Sequence, residues 1–156
     1  MINTVKDLLT FENIYLFANW GVVPFWLLLV FIPNHTITKF FCHSIISPLL
    51  LAIAYLFVAR QIIIEGNIFE GFNLYLGLDS LNEIYSNESL RLAFWLHFLA
   101  ISLFIGSWIA RDCQRHMVPK ILSIPSIVIT YFAGPVGIII YWFIRIFYAK
   151  KINFDE

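Results

Sequence analysis

Apolar and charged positions separate into blocks along this chain. Four stretches, residues 14–33, 40–59, 92–110 and 121–144, contain no Lys, Arg, Asp or Glu, and each is 19 to 24 residues long. A helix crossing the roughly 30 Å of bilayer hydrocarbon needs about 20 such residues. Only helices and closed barrels satisfy their backbone in hydrocarbon, and the continuous apolar runs lack the alternation of a barrel strand. The pattern therefore predicts an all-α integral membrane bundle of four transmembrane helices. Its spans are expected at about 14–33, 40–61, 91–110 and 121–146, in a single domain covering residues 1–156.

Four crossings place both termini on one face, side A, together with the loop 62–91, and leave the loops 34–39 and 111–120 on side B. Within the long A-side loop, Leu74, Leu78, Leu81 and Tyr85 recur at helical spacing. They predict a short interfacial helix, with Phe69, Phe72 and Tyr75 along the membrane surface. Basic residues near span ends are Lys6, Arg60, Arg91, Arg145, Lys150 and Lys151 on side A, against Lys39, Arg111, Arg115 and Lys120 on side B. By the positive-inside rule side A, with both termini, faces the cytoplasm. No basic n-region or small-residue cleavage site precedes the first span, so that span is expected to persist in a multi-pass protein. A bacterial inner membrane is the simplest setting.

Composition sharpens this picture. Hydrophobic residues are 60% and charged residues 13%, against about 25% charged in ordinary globular domains, which is too little charge for a water-facing surface. Ten basic and ten acidic residues cancel; with the basic ones at span ends rather than in a patch, nucleic acid is not an expected partner. Cys42 and Cys113, both at side B, are too few for a disulfide framework and too isolated for a metal ribbon, and are expected as unpaired thiols.

Candidate chemistry comes from polar side chains that share a depth. At about 1.5 Å per residue, Asn19 lies roughly 8 Å inside the side-A end of the first span and His97 roughly 8 Å inside that of the third. Arg60 and Gln61 close the second span, and Tyr141 with Arg145, on the stripe of Gly134, close the fourth. These six groups form one candidate layer, since intramembrane His and Arg tend to face a bundle interior or a cavity. Simpler roles stand beside it: Arg60 and Arg145 as snorkelling anchors, Asn19 as interhelical glue. His97 is hardest to explain as structure alone, because an imidazole in hydrocarbon has both a donor and an acceptor to satisfy. His35, His43 and His116 sit at side B, about 20 Å away, so four histidines cannot share a metal; His97 is the one intramembrane ligand on offer, and no spacing reveals a metal. Pro24, Pro48, Pro135 and the Gly134–Gly137 break open space between helices, while Ser102 with Gly106 and Ala133 with Gly137 let helices approach. Trp20, Trp95 and Trp142 in the side-A layer, with Trp26, fit an interfacial belt or an aromatic wall for a lipid, quinone or polyene.

Asn19-Trp20, Pro24-x-Trp26, Pro33, Pro48, Tyr55, Trp95-x-His97, Gly106, Arg111-Asp112 and Gly134-Pro135-x-Gly137 occur in this order. Together they make the chain, over about residues 13–145, resemble the abscisic acid deficient four-like membrane proteins. The resemblance implies a small four-span protein linked to carotenoids. Plant members are associated with forming neoxanthin from violaxanthin, and bacterial relatives invite a related role, including cleavage of β-carotene to retinal. Five residues after the histidine, where the resemblance leads one to expect Asp, stands Ser102, so no acid or ligand role carries over; Ser102 is also about 140° around the helix from His97.

On that reading His97 is the acid or base and Asn19 and Arg60 stabilise developing charge on oxygen. Trp20, Trp26, Tyr55, Trp95, Gly134, Tyr141 and Arg145 contact the substrate. Oxidative cleavage would instead need an oxygen-activating group such as iron, with His97 as its ligand. The expected partners are a carotenoid or other apolar isoprenoid and membrane lipid, with a homo-oligomer left open. The alternative is a non-catalytic carotenoid- or lipid-binding membrane subunit assisting another enzyme.

Overall fold

In the computed structural model, which describes residues 10–44, 46–66, 72 and 75–150, every regular element among those residues is helical. In chain order they are α1 (Phe11–Phe31), α2 (Thr36–Phe41), α3 (Ile46–Ile64), α4 (Leu78–Ser86), α5 (Glu88–Arg115), α6 (Lys120–Ala133) and α7 (Pro135–Ala149). Polar side chains mark where helices start. Thr10 accepts from the Asn13 amide at the head of α1, and Asn87 Oδ1 accepts from the amides of Ser89 and Leu90 at the head of α5. Each satisfies first-turn N–H groups that have no partner inside the helix. At the far end of α1 the Thr38 hydroxyl donates to the Ile32 carbonyl at 2.7 Å, holding α2 against the end of the first long helix.

Helix α5, about 42 Å long at 28 residues, is the axis of the molecule, and α1, α3 and α6 pack around it. Its contacts fix the directions of its neighbours. Tyr15 meets Trp95 and Gln114 reaches the Pro33 carbonyl, so α1 runs parallel to α5. Ser89 donates to Glu65 while Ser107 donates to the Cys42 carbonyl, so α3 runs antiparallel. Side A is thus the end where α1 and α5 begin. Three segments, Phe11–Phe31, Thr36–Ile64 and Glu88–Arg115, are long and apolar enough to cross a membrane. The expected A-side helix is present as α4, which buries Ile84 and leaves Leu78 and Tyr85 exposed. Phe72 and Tyr75 are also exposed, whereas Leu74 and Phe69 lie outside the described residues.

The fourth expected span is not a single crossing helix. Gly134 adopts φ 43° and ψ −97° between α6 and α7, a left-handed conformation that side chains rarely take, and the chain doubles back there. In a continuous helix residues 130 and 137 would be about 10 Å apart along the axis. Here Gly137 packs directly on α6, so that a Cβ on it would lie 2.6 Å from the Ser126 carbonyl oxygen and from the Thr130 nitrogen. Helices of 14 and 15 residues reach only about 21–22 Å, short of the roughly 30 Å of hydrocarbon. The sequence expectation of a 121–146 crossing counted apolar residues correctly but took the glycine-proline break for a kink. In consequence the described chain begins at side A and ends, at Lys150, beyond the α7 residues that contact the side-B end of α5. Where four crossings were expected, the described residues form three long apolar helices and a helical hairpin; both termini lie outside the described residues.

Candidate functional site

Residues three and four apart on a helix share a face, and on α5 such a stripe runs from Arg91 through Phe94, Phe98 and Ser102 to Ile105. With Tyr15 of α1, Tyr85 of α4 and the hairpin turn at Gly134-Pro135, it bounds a cleft of about 870 Å³. Between the levels of Glu88 and Ile105 the cleft extends about 25 Å. Its mouth is charged, with Glu12, Glu88 and Arg91; its walls are aromatic; its floor is the turn between α6 and α7. Ring contacts stiffen the walls. Trp95 stacks on Phe98 at 5.5 Å, Tyr85 stacks on Phe94 at 5.6 Å, and Tyr15 tilts against Trp95 at 6.1 Å. The Trp95 indole donates to Asn19 Oδ1 at 2.8 Å, which fixes the ring and uses the amide oxygen.

His97 lies on the edge of this cleft, exposed, with its ring centroid 6.5 Å from that of Tyr55 on α3. Among the described residues its imidazole makes no hydrogen bond, so both nitrogens are available to a ligand. Ser102 also lines the cleft; the expected 140° separation from His97 is real, but the cleft is wide enough to include both. Asn19, Tyr55, Trp95, His97 and Gly134 therefore gather at or beside one cavity. The other expected residues do not. Trp20 is 73% exposed and points away; Arg60 is exposed in the last turns of α3 and is not part of the cleft wall. Trp26 is buried, its ring pressed against Gly106 and edge-on to Tyr131 at 5.2 Å, which makes it a core residue.

Tyr141 and Arg145 belong to a second polar centre at side B. Asp112, near the end of α5, accepts from the Tyr141 hydroxyl at 2.6 Å and from Arg145 Nε at 2.7 Å through the same oxygen, Oδ2. His116 Nε2 lies 3.4 Å from an Arg145 guanidinium nitrogen and 3.6 Å from Asp112 Oδ1. Arg145 and Tyr141 are essentially fully buried and Asp112 is 5% exposed. A buried ion pair persists only when geometry and added hydrogen bonds offset desolvation, and here a carboxylate, a phenol and a guanidinium supply both. The cluster latches α7 onto α5 and so holds the hairpin that forms the cleft floor. The sequence expectation put Tyr141 and Arg145 in the side-A layer because it ran span four through to side A.

A family model described as ABA DEFICIENT 4-like matches residues 13–141. The match runs from the first turn of α1 to the first half of α7 and takes in the cleft lining apart from Phe11 and Glu12, with its floor and Asp112. The chain belongs to the ABA DEFICIENT 4-like family. The family is linked to neoxanthin synthesis, which agrees with a carotenoid-related function. No curated protein and no solved structure gives a significant match. For an ABA DEFICIENT 4-like chain that cleaved its substrate with iron, a cluster of ligands would be required. Among the described residues no three His, Cys, Asp or Glu side chains come together; His97 stands alone, and His116 with Asp112 is committed to the latch. These donors do not fit an iron centre. Cys42 and Cys113 are both buried free thiols.

Proposed function

We propose that this protein is a membrane-embedded carotenoid-modifying enzyme that binds a long polyene in the aromatic cleft and uses His97 as its acid or base. One observation carries the reading: in a chain of this family, a histidine that makes no hydrogen bond among the described residues sits on the wall of a cleft about 25 Å long whose sides are Tyr, Trp and Phe rings. The volume falls within the roughly 300–1,000 Å³ of small-molecule sites, and the aromatic walls suit a flat, rigid chain. A neoxanthin-type epoxide rearrangement matches the residues present. It is an isomerisation: a base takes a proton from a polyene carbon, the epoxide C–O bond breaks, and the oxygen takes up a proton, with no oxidant consumed. His97 can move that proton. Arg60, outside the cleft, has no part in this scheme, and Asn19 acts by holding Trp95.

A second reading, a carotenoid-binding subunit without turnover, is favoured by the absence among the described residues of any group that orients the His97 ring. The two are separated by expressing the chain in cells that accumulate β-carotene or its epoxidised xanthophylls and chromatographing the pigments. A new pigment is expected in the xanthophyll background. Unchanged pigments in every background, with carotenoid copurifying, would overturn the enzyme reading in favour of the subunit.

The hairpin also changes the orientation. With Lys150 at side B, that face carries Lys39, Arg111, Arg115, Lys120 and Lys150, against Arg60 and Arg91 at side A; Lys6 and Lys151 are outside the described residues. The positive-inside rule then turns side B to the cytoplasm, opposite to the expectation from four crossings, and the cleft mouth opens toward the other leaflet.

A further inference from the structure

We infer that the floor of the cleft is an oxygen-binding spot, formed by the Ser102 hydroxyl beside the N-terminus of α7, that takes a hydroxyl, carbonyl or epoxide oxygen of an otherwise apolar isoprenoid. This deepens the reading of the cleft as a polyene site and rests on it. Ser102 is 3% exposed and lines the cleft, with its Oγ 3.4 Å from where a Cβ would stand on Gly134. Serine and threonine inside apolar helices ordinarily donate to the carbonyl four residues back, and Thr130 does so to Ser126 at 2.7 Å. Ser102 engages no hydrogen bond among the described residues. Its hydroxyl is held out of its own helix ladder and toward the hairpin turn.

Beside it, α7 starts at Pro135 directly after Gly134, both part of the cleft lining, and no side chain caps it. The Gly134 N–H already donates to the Thr130 carbonyl, the Gly137 N–H to the Gly134 carbonyl, and Pro135 has none, so this helix end offers the cleft the partial positive charge of its dipole rather than a free amide. The hairpin thus brings this end of a 15-residue helix to the bottom of an apolar slot, next to an unpartnered hydroxyl. A ligand oxygen accepts from the hydroxyl and sits in that positive field; a pure hydrocarbon leaves the hydroxyl unpaired, which is how a polar pocket discriminates against an analogue lacking the polar atom. His97 lies five residues nearer the mouth, about 7.5 Å along α5. An end ring anchored at the floor by its oxygen would lay the adjoining polyene carbons along the wall that carries His97.

The test uses the full chain in lipid nanodiscs and reads tryptophan fluorescence quenching by two carotenoids of the same carbon skeleton, one with hydroxylated and epoxidised end rings and one the hydrocarbon β-carotene. The wild type is expected to bind the oxygenated carotenoid about tenfold more tightly, as one added hydrogen bond allows. Ser102→Ala is expected to remove that preference by weakening the oxygenated carotenoid alone. Equal binding of both carotenoids by the wild type, or an equal loss of both in Ser102→Ala, overturns the oxygen spot and leaves the polyene cleft standing. Binding of neither carotenoid overturns the cleft reading itself, and with it the spot. Because the readout is binding, the result does not depend on turnover.

Discussion

Replacing Asp112 with Ala is expected to destabilise the protein in detergent by about 3–5 kcal/mol, because it strands the Arg145 guanidinium in an apolar site. Arg145 is 1% exposed, and its Nε donates to Asp112 at 2.7 Å. Arg145→Ala is expected to cost a similar amount by stranding the carboxylate. Tyr141→Phe removes one hydrogen bond to a charged acceptor and should cost less, about 1.5–3 kcal/mol. The double replacement Asp112→Leu with Arg145→Met removes both charges together, so it should be clearly more stable than the sum of the two alanine variants. Denaturant unfolding in micelles followed by far-UV circular dichroism measures all four. Single-variant losses below about 1 kcal/mol, the range of exposed ion pairs, would mean that water reaches the latch and that the hairpin is held by apolar packing alone.

His97→Ala is expected to reduce pigment conversion by about 10²–10⁴-fold, the usual contribution of a positioned acid or base. It should leave the unfolding midpoint within about 0.5 kcal/mol of wild type, since the imidazole is exposed in the protein and bonded to no described residue. The separation of the two effects is the point of the prediction. Arg145→Ala should lose activity only as far as it loses fold, whereas His97→Ala should lose activity with the fold intact. A His97→Ala protein that still converts pigment at wild-type rate would assign the proton transfer elsewhere and reduce His97 to a wall residue. Protein amount is checked by quantitative blotting so that the rate is read per folded chain.

Much of this molecule is legible in the sequence, for reasons that particular residues make plain. Apolar runs bounded by charge located α1, α3 and α5, because hydrocarbon tolerates little else. Leu78, Leu81 and Tyr85 announced α4, and depth along α1 and α5 put Asn19, Trp95 and His97 in one layer, where Trp95 does bond Asn19, whereas Tyr141 and Arg145, expected in the same layer, lie at side B. The fourth apolar run misled, because its composition is the same whether it crosses or turns back. What decides between them is the dihedral freedom of Gly134 and the absence of a side chain at Gly137, and a sequence shows the glycines without showing the turn.

Charge could have found it. Asp112 is the only acidic residue between 89 and 154, and Arg145 the only basic one between 121 and 149. Two lone opposite charges in apolar surroundings call for one another, and they can meet only if the last helix returns to side B. The wall residues Tyr15, Phe94 and Phe98 were illegible for a different cause: Phe and Tyr are so frequent in this chain that none of these three stood out.

The α6–α7 hairpin makes the cleft floor, buries Arg145 and sets the two ends of the described chain on opposite faces. It is tested most directly by labelling cells with a membrane-impermeant maleimide, using single cysteines at Thr10 or Lys150 in a chain whose Cys42 and Cys113 are replaced by Ala. Thr10→Cys is expected to be labelled on intact cells, and Lys150→Cys only after the membrane is opened. The reverse pattern would keep the hairpin and invert the orientation, whereas labelling of both positions from one and the same side would contradict the hairpin.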